Sequence, residues 1–177
     1  VRPAIALGQL AEPLAAGSDC LFDFLNSVVV RMVNPAMTLE SVGAAELLGG
    51  ANRAMVDGEM LQFGIADVVE PGLWRLSRLL RGRAGTERNM SHSAGASFVL
   101  LDDPALLPLP EPLAGLSEAG GATVEWAPRG GTMLSQIAVP SGGRALRPLT
   151  PAHGRIRSDS VGGVTIDWVR RSRADTG

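Results

Sequence analysis

Apolar and polar positions alternate over short stretches of this chain, and turn-forming residues separate the stretches. The clearest pattern is in residues 52–87, where the runs RAMV and EMLQF flank Asp57 and Gly58. An Asp-Gly pair between two β-prone runs predicts a type I′ hairpin, because that turn needs a positive φ at both central residues. A second turn at 70–72 (Glu-Pro-Gly) predicts that the run LWRLSRLLR folds back as the next strand.

Gly82 and Gly85 then bracket a sharp reversal, so residues 52–87 are predicted to form a rigid β module. Other β-branched or alternating runs predict further strands, at 26–33, 96–101, 122–126, 133–139, 155–157 and 164–169. One helix is predicted within 39–48, with Ser41 as its N-cap and two glycines ending it. Leu47 and Leu48 would pack this helix onto the sheet.

The predicted strands outnumber the single helix, and this predicts a mainly β chain with a mixed barrel-like or sandwich-like domain. The 22 Gly and 12 Pro favour short strands joined by turns. The pattern divides into a β-rich domain at 1–140, a Pro/Gly linker at 141–151, and the first strands of a β-sandwich at 152–177. Two strands cannot bury a core alone, so the chain is expected to be a segment of a longer polypeptide.

Composition and charge narrow the possible functions. The net charge of −2 argues against a nucleic-acid binder that relies on phosphate contacts. All 16 basic residues are arginine. The single cysteine, Cys20, can form neither an internal disulfide nor a cysteine metal cluster, and is expected to be a small buried residue. No apolar run approaches the roughly 20 residues that a membrane-spanning helix needs, so no span is predicted. No cofactor or metal site is predicted either.

Catalytic arrangements can be assembled from the sequence, but each has a simpler structural explanation. Ser91, His92 and Asp102 could form a triad, since triads are recognised by geometry rather than by order. Serine and aspartate are common enough to make such sets frequent by chance. Carboxylate pairs for glycoside hydrolysis could also be drawn, namely Asp57 with Glu59 and Asp102 with Asp103. Roles at turns and strand ends explain these pairs better, so no catalytic residue is predicted.

Three features could bind a ligand or a partner. The Gly82-x-x-Gly85 spacing does not predict a phosphate loop, because no lysine follows and no helix begins there. Three tryptophans could stack on sugars, but each lies in a strand pattern that favours core packing; they are Trp74, Trp126 and Trp168. Four arginines form the one local basic cluster, a candidate interface for acidic partners or surface glycans. They are Arg75, Arg78, Arg81 and Arg83, and the alternative is a solvated face paired with Glu59, Glu70 and Glu87.

Several short motifs of this chain also occur together in one known family. They are Leu47-Leu48, Gly50-Ala51-Asn52, Glu59-Met60-Leu61-Gln62-Phe63, LLRGRAGTE at 79–87, FVLLD at 98–102, LRPLTPAH at 146–153 and DWVRRSR at 167–173. With these motifs the chain resembles the baseplate megatron family, the large tail-tip proteins of alphaproteobacterial gene transfer agents and related siphophages. The resemblance runs from about residue 28 to the C-terminus, with gaps around 113–141.

The resemblance implies a structural role in a virion-like particle. It implies a tail-tip or hub segment that is made in the bacterial cytoplasm and holds the distal tail together for host attachment and DNA delivery. The implied partners are other copies in a homotrimer and the neighbouring distal tail and hub proteins. It also implies that residues 152–177 open a fibronectin type III-like domain.

Two other function classes stay open at this stage. Some family members carry a TIM-barrel-like region with suspected cell-wall activity, but no residues here match it. The segment is therefore not predicted to be an enzyme, and any hydrolase activity would lie elsewhere in the full-length protein. The main alternative is a carbohydrate-binding β module that recognises host surface glycan, which predicts exposed tryptophans in a groove. A hydrolase predicts carboxylates that converge in a pocket.

Overall fold

The structure is a computed structural model that describes residues 6–19, 21–101, 122–126, 135–139 and 149–171. Strands dominate these residues, and the predicted mainly β class is confirmed. The elements are β1 (Leu7–Leu10), β2 (Val28–Met32), α1 (Ala44–Leu48), β3 (Arg53–Val56), β4 (Glu59–Glu70), β5 (Leu73–Arg83), β6 (Ser97–Leu100), β7 (Ala122–Trp126), β8 (Ser135–Val139), β9 (Leu149–Ser158) and β10 (Val164–Arg171). The chain divides into two compact units, residues 1–107 and 108–177.

The first unit is a closed antiparallel barrel with the strand order β1-β2-β5-β4-β3-β6. The barrel closes where β6 pairs with both β1 and β3, so that Phe98 lies opposite Gly8 on one side and Val56 on the other. Along β2 and the first part of β4, alternate residues point into the barrel and form its core, as the two-residue period of a strand requires. Along β5 the alternation shifts by one residue at Arg78, which has a φ of 55°. The core includes Val28, Val30, Leu61, Phe63, Leu76, Leu79 and Phe98.

Both predicted turns around the long β4–β5 hairpin are confirmed. Asp57 and Gly58 have φ values of 39° and 88° and join β3 to β4 with Val56 opposite Glu59, as a type I′ turn requires. Glu70 lies opposite Leu73 across the second turn, where Gly72 has a φ of 77°.

The predicted reversal at Gly82 and Gly85 is also confirmed, since both have positive φ values, 57° and 86°. Gly82 lies inside β5, where the pairing with β4 shifts register. A Cβ atom at Gly82 would lie 2.7 Å from the Cα of Glu87, so only glycine lets the following turn fold back this closely. Thr86 then accepts a hydrogen bond from the Met60 N–H through its Oγ1, at 2.9 Å.

The helix is shorter than predicted and begins later, at Ala44, with Gly43 as its N-cap. Ser41 is not the cap, because its Oγ accepts a hydrogen bond from the Ala66 N–H on the outer edge of β4. The neighbouring Val42 N–H donates to the Gly64 carbonyl, so this segment extends along the sheet before the helix begins. Leu47 is buried as predicted, but Leu48 is 66% exposed and does not pack onto the sheet.

In the second unit, the described residues form two separate hairpins. β7 pairs with β8, and β9 pairs with β10 with Ile156 opposite Ile166. The sequence placed β7 and β8 in the first domain, but they belong to the second compact unit. β9 begins inside the predicted linker, whose residues 141–148 lie outside the described part of the chain. The fibronectin type III-like domain stays a prediction.

Candidate functional site

Four ionisable side chains lie buried together in the barrel unit, and we call them the ion network: Asp23, Glu59, Arg81 and His92. Glu59 is the first residue of β4 and Arg81 lies near the end of β5. The β4–β5 pairing therefore brings the two side chains together. Asp23 and His92 come from loops that are tied to Leu79 and Leu14 by isolated strand pairing.

Arg81 is held by oxygen acceptors on all sides of its guanidinium group. Its Nε and Nη2 donate to the two Glu59 carboxylate oxygens at 2.7 and 3.0 Å, a bidentate pair. Its Nη1 donates to the Ala15 carbonyl at 3.0 Å and approaches Asp23 Oδ2 at 3.4 Å. Its Nη2 also donates to the Met90 carbonyl. An arginine has five N–H donors, and all five are used here.

Glu59 is satisfied to the same degree. Its Oε1 accepts hydrogen bonds from Arg81 and from the Gly82 backbone N–H, the latter at 3.0 Å. Its Oε2 accepts from Arg81 and lies 2.7 Å from His92 Nε2. Two carboxylate oxygens offer about four lone-pair positions, so this carboxylate has little capacity left for a substrate.

Asp23 is the carboxylate that connects the ion network to the loop before β2. Burial raises the pKa of Asp23, but hydrogen bonds from the Asn26 side chain and from the backbone of Asn26 and Leu25, with the charge of Arg81, outweigh this effect. The net result is a lowered pKa. The Asn26 Nδ2 bond to Asp23 Oδ2 measures 2.7 Å.

The geometry of the ion network indicates a structural role, in which it holds several segments of the barrel unit together. It joins β4, β5 and three loop segments, around residues 14–15, 23–26 and 90–92. Among the described residues, no buried side-chain nitrogen or oxygen lacks a hydrogen-bond partner. A buried ion pair adds little net stability compared with apolar packing, but breaking one is costly. Such a network therefore fixes which segments meet.

The structure does not bring the four predicted interface arginines onto one surface. Arg81 is fully buried in the ion network, so its assignment to an exposed interface is wrong. Arg75 and Arg83 are exposed, but they lie eight positions apart on β5, which is roughly 26 Å along a strand. Arg78 is half-buried, has a φ of 55°, and lies over Gly64, where a Cβ would come within 2.9 Å of its side chain.

The catalytic sets drawn from the sequence are not assembled among the described residues. His92 contacts Glu59, and Ser91 is exposed. Asp57 acts as the predicted turn residue, with its Oδ1 accepting from the Ser97 N–H at 2.9 Å. Glu59 is not merely a turn residue, because it is the centre of the ion network. The remaining candidates lie outside the described residues: Asp102, Asp103 and Cys20.

The tryptophans differ in their environments. Trp74 is buried in the barrel core, as predicted. Trp168, on β10, is 59% exposed, so the described residues do not pack it into a core. It lines an open groove of about 680 Å³ together with His153, Arg155, Arg157, Asp167 and Val169. The side chain of Trp126 lies outside the description.

Few features of the sequence indicate the ion network. The alternative of a solvated arginine face named Glu59 as a partner, but Glu59 and Arg81 pair in the interior and not on a solvated face. Asp23 is followed three residues later by Asn26, a spacing that allows local side-chain bonding. His92 sits in a polar loop with no pattern that marks it as buried. Contacts between residues 58 apart in sequence, as for Arg81 and Asp23, depend on the barrel itself.

The first unit matches a known protein family. The family model described as "Rcc01698-like, C-terminal" matches residues 5–99, which is more than half of the chain. This chain belongs to the Rcc01698-like, C-terminal family. The matched region begins just before β1 and ends within β6, so it spans the barrel and the ion network. No curated protein matches the chain.

Two structural properties of this family member concern metal ligands and membrane-spanning helices. In the ranges that the structure describes, no group of three or more His, Cys, Asp or Glu side chains is arranged to hold a metal ion. No helix among those residues is long and apolar enough to cross a membrane.

Proposed function

We propose that this chain is a structural segment of a phage-like tail tip, in the baseplate or hub of a gene transfer agent or siphophage. In this role the barrel is a rigid connector. It holds the distal tail together with other copies of itself and with neighbouring tail proteins. It also positions host-contacting domains for attachment and DNA delivery.

The observation that carries this proposal is that the motif residues hold the barrel together. Within the Glu59–Phe63 motif, Glu59 binds Arg81, and Gln62 Nε2 donates to the Leu47 and Ala51 carbonyls at 2.7 and 2.8 Å. Asn52 of the Gly-Ala-Asn motif donates to the Glu40 and Phe63 carbonyls. The side chains on which the resemblance rests therefore bond to the protein itself, as expected of a scaffold.

A deletion and complementation experiment tests the proposed role. Removal of the coding sequence from a particle-producing strain should leave particles without a complete tail tip and abolish DNA delivery. Full-length protein should restore both. Normal tails and normal delivery in the deletion strain would contradict the proposal.

Exposed Trp168 favours glycan binding as a second candidate function. Exposed tryptophans can stack on sugar rings, and the adjoining groove adds arginine and histidine donors. The exposed residues Ile156 and Ile166 lie directly opposite each other on the same hairpin, and such aliphatic neighbours are more typical of a packing surface. Purified host surface polysaccharide should bind the full-length protein, and Trp168→Ala should abolish binding, if this candidate is correct.

A further inference from the structure

The two faces of the β9–β10 hairpin differ in polarity. Ile156 and Ile166 lie directly opposite each other on one face. Arg155 and Asp167 form the next pair along the hairpin, so the two-residue period places them on the other face, together with Arg157. A second sheet packed over the two isoleucines would therefore leave the arginine face accessible to a ligand.

The arginine face has more positive than negative charge. Arg157 Nε lies 3.8 Å from Asp167 Oδ2, and both side chains are more than half exposed. Such an exposed ion pair contributes little to stability, so a ligand can compete with it. Arg155 makes no hydrogen bond or ion pair with another described residue. The planar fork of N–H donors on its guanidinium group is therefore available to an anion.

A β-bulge lies beside these arginines, at Trp168. The pairing shifts register between Asp167 and Val169, so that two residues of β9, His153 and Gly154, lie opposite Trp168 alone. His153 has a φ of 55°, which is uncommon for a residue other than glycine. Bulges redirect side chains and are common next to active sites. Trp168 and His153 line the groove of about 680 Å³ together with both arginines.

We propose that this groove binds an acidic saccharide, whose carboxylate accepts two hydrogen bonds from Arg155 while a sugar ring contacts Trp168. The inference rests on the second candidate function, glycan binding, and names the class of glycan. A planar carboxylate matches the arginine fork, and an exposed indole offers an apolar surface to the C–H groups of a sugar. Nucleic acids and anionic membranes are bound through larger sets of basic residues than this groove contains.

NMR titration of the chain with trigalacturonic acid tests the site, in about 0.15 M salt to screen long-range charge effects. The indole N–H signal of Trp168 should shift until it saturates. Neutral galactotriose should bind about tenfold more weakly, because it lacks the carboxylates that accept charge-assisted hydrogen bonds. Arg155→Gln should weaken the binding of trigalacturonic acid to the level of galactotriose. The matched control Arg88→Gln removes an exposed arginine of the barrel unit and should bind like the wild type.

Three results would overturn the inference. Galactotriose could bind as tightly as trigalacturonic acid, Arg155→Gln could bind like the wild type, or triglutamate could bind as tightly as the acidic sugar. The NMR spectra also show whether each variant keeps its fold.

Host surface polysaccharide separates failure of this inference from failure of glycan binding itself. Polysaccharide that binds Arg155→Gln like the wild type, but does not bind Trp168→Ala, would reject the acidic class and keep glycan binding. Polysaccharide that does not bind the wild type would reject glycan binding, and this inference with it.

Discussion

Arg81 places five N–H donors in the barrel interior, and each meets an oxygen from the surrounding chain. Arg81→Met keeps much of the side-chain volume but leaves the Glu59 carboxylate buried without its main partner. Loss of one partner of a buried ion pair typically costs about 3–5 kcal/mol of the free energy of unfolding, so we expect a loss of that size. Urea denaturation of the variant measures it.

Two further variants make this prediction specific. Arg75→Met removes an exposed arginine from the same strand and should change the free energy of unfolding by only ~0.5 kcal/mol or less. Glu59→Gln combined with Arg81→Met should cost less than the two single changes together, because the residues are in contact. Equal effects at positions 75 and 81 would show that the ion network does not hold the barrel.

The lowered pKa of Asp23 predicts that the free energy of unfolding depends on pH. Its pKa is lower in the folded than in the unfolded chain, so its contribution to stability is fully present above the unfolded pKa. The contribution is lost as the pH falls through the folded pKa. The difference in free energy of unfolding between the wild type and Asp23→Asn should therefore shrink as the pH decreases from 5 towards 3, roughly the region around the ordinary aspartate pKa of ~3.9.

Urea denaturation across this pH range measures the difference. Asp67→Asn makes the same change of charge at an exposed position of β4 and controls for net charge. A difference for Asp23→Asn that stays constant, or that grows as the pH falls, would contradict the role of its lowered pKa.

At the scale of elements, α1 offers two adjacent leucines with opposite environments. Leu47 is fully buried against β4, and Leu48 is largely exposed. Leu47→Ala should cost about 2–5 kcal/mol, because it removes a buried side chain and leaves a cavity. Leu48→Ala should change the free energy of unfolding by about 0.5 kcal/mol or less. Thermal or urea unfolding of the two variants checks this, and similar losses would mean that α1 is packed differently.

The local elements of the fold could be predicted from the sequence, because their chemistry lies in adjacent residues. Asp57 and Gly58 specify their turn by themselves, and Gly82 marks a corner that only a positive φ allows. The start of α1 could not be predicted, since Ser41 bonds to Ala66 of β4, a residue 25 positions later in the chain. The Ser41 hydroxyl could cap a helix locally, but it accepts the hydrogen bond of the Ala66 N–H on β4 instead.

The candidate site was harder to predict than the fold. Arg81 looked like its neighbours Arg75 and Arg83, because alternation along β5 does not reveal the positive φ at Arg78. Leu76 lies in the core before Arg78 and Leu79 lies in the core after it, so the alternation shifts by one residue and Arg81 is buried beside Glu59. The burial of His92 depends on its pairing with Leu14, a contact between residues that no local pattern connects.

At the scale of the whole molecule, the two units differ in how well their apolar side chains are covered. The barrel closes on itself and buries its core, and the family match spans this unit. The β9–β10 hairpin leaves Ile156, Ile166 and Trp168 more than half exposed. Two strands cannot bury an apolar face alone, so a sandwich that covers this face remains the prediction for the second unit.

Cryo-electron microscopy of purified particles tests the central claim most directly. The proposed role predicts that density at the distal end of the tail accommodates the six-stranded barrel in several symmetry-related copies around the tail axis. The role would be contradicted if the reconstructed tail tips had no density for this barrel. It would also be contradicted if the full-length protein did not co-purify with the particles. Glycan recognition through Trp168 would then become the leading account.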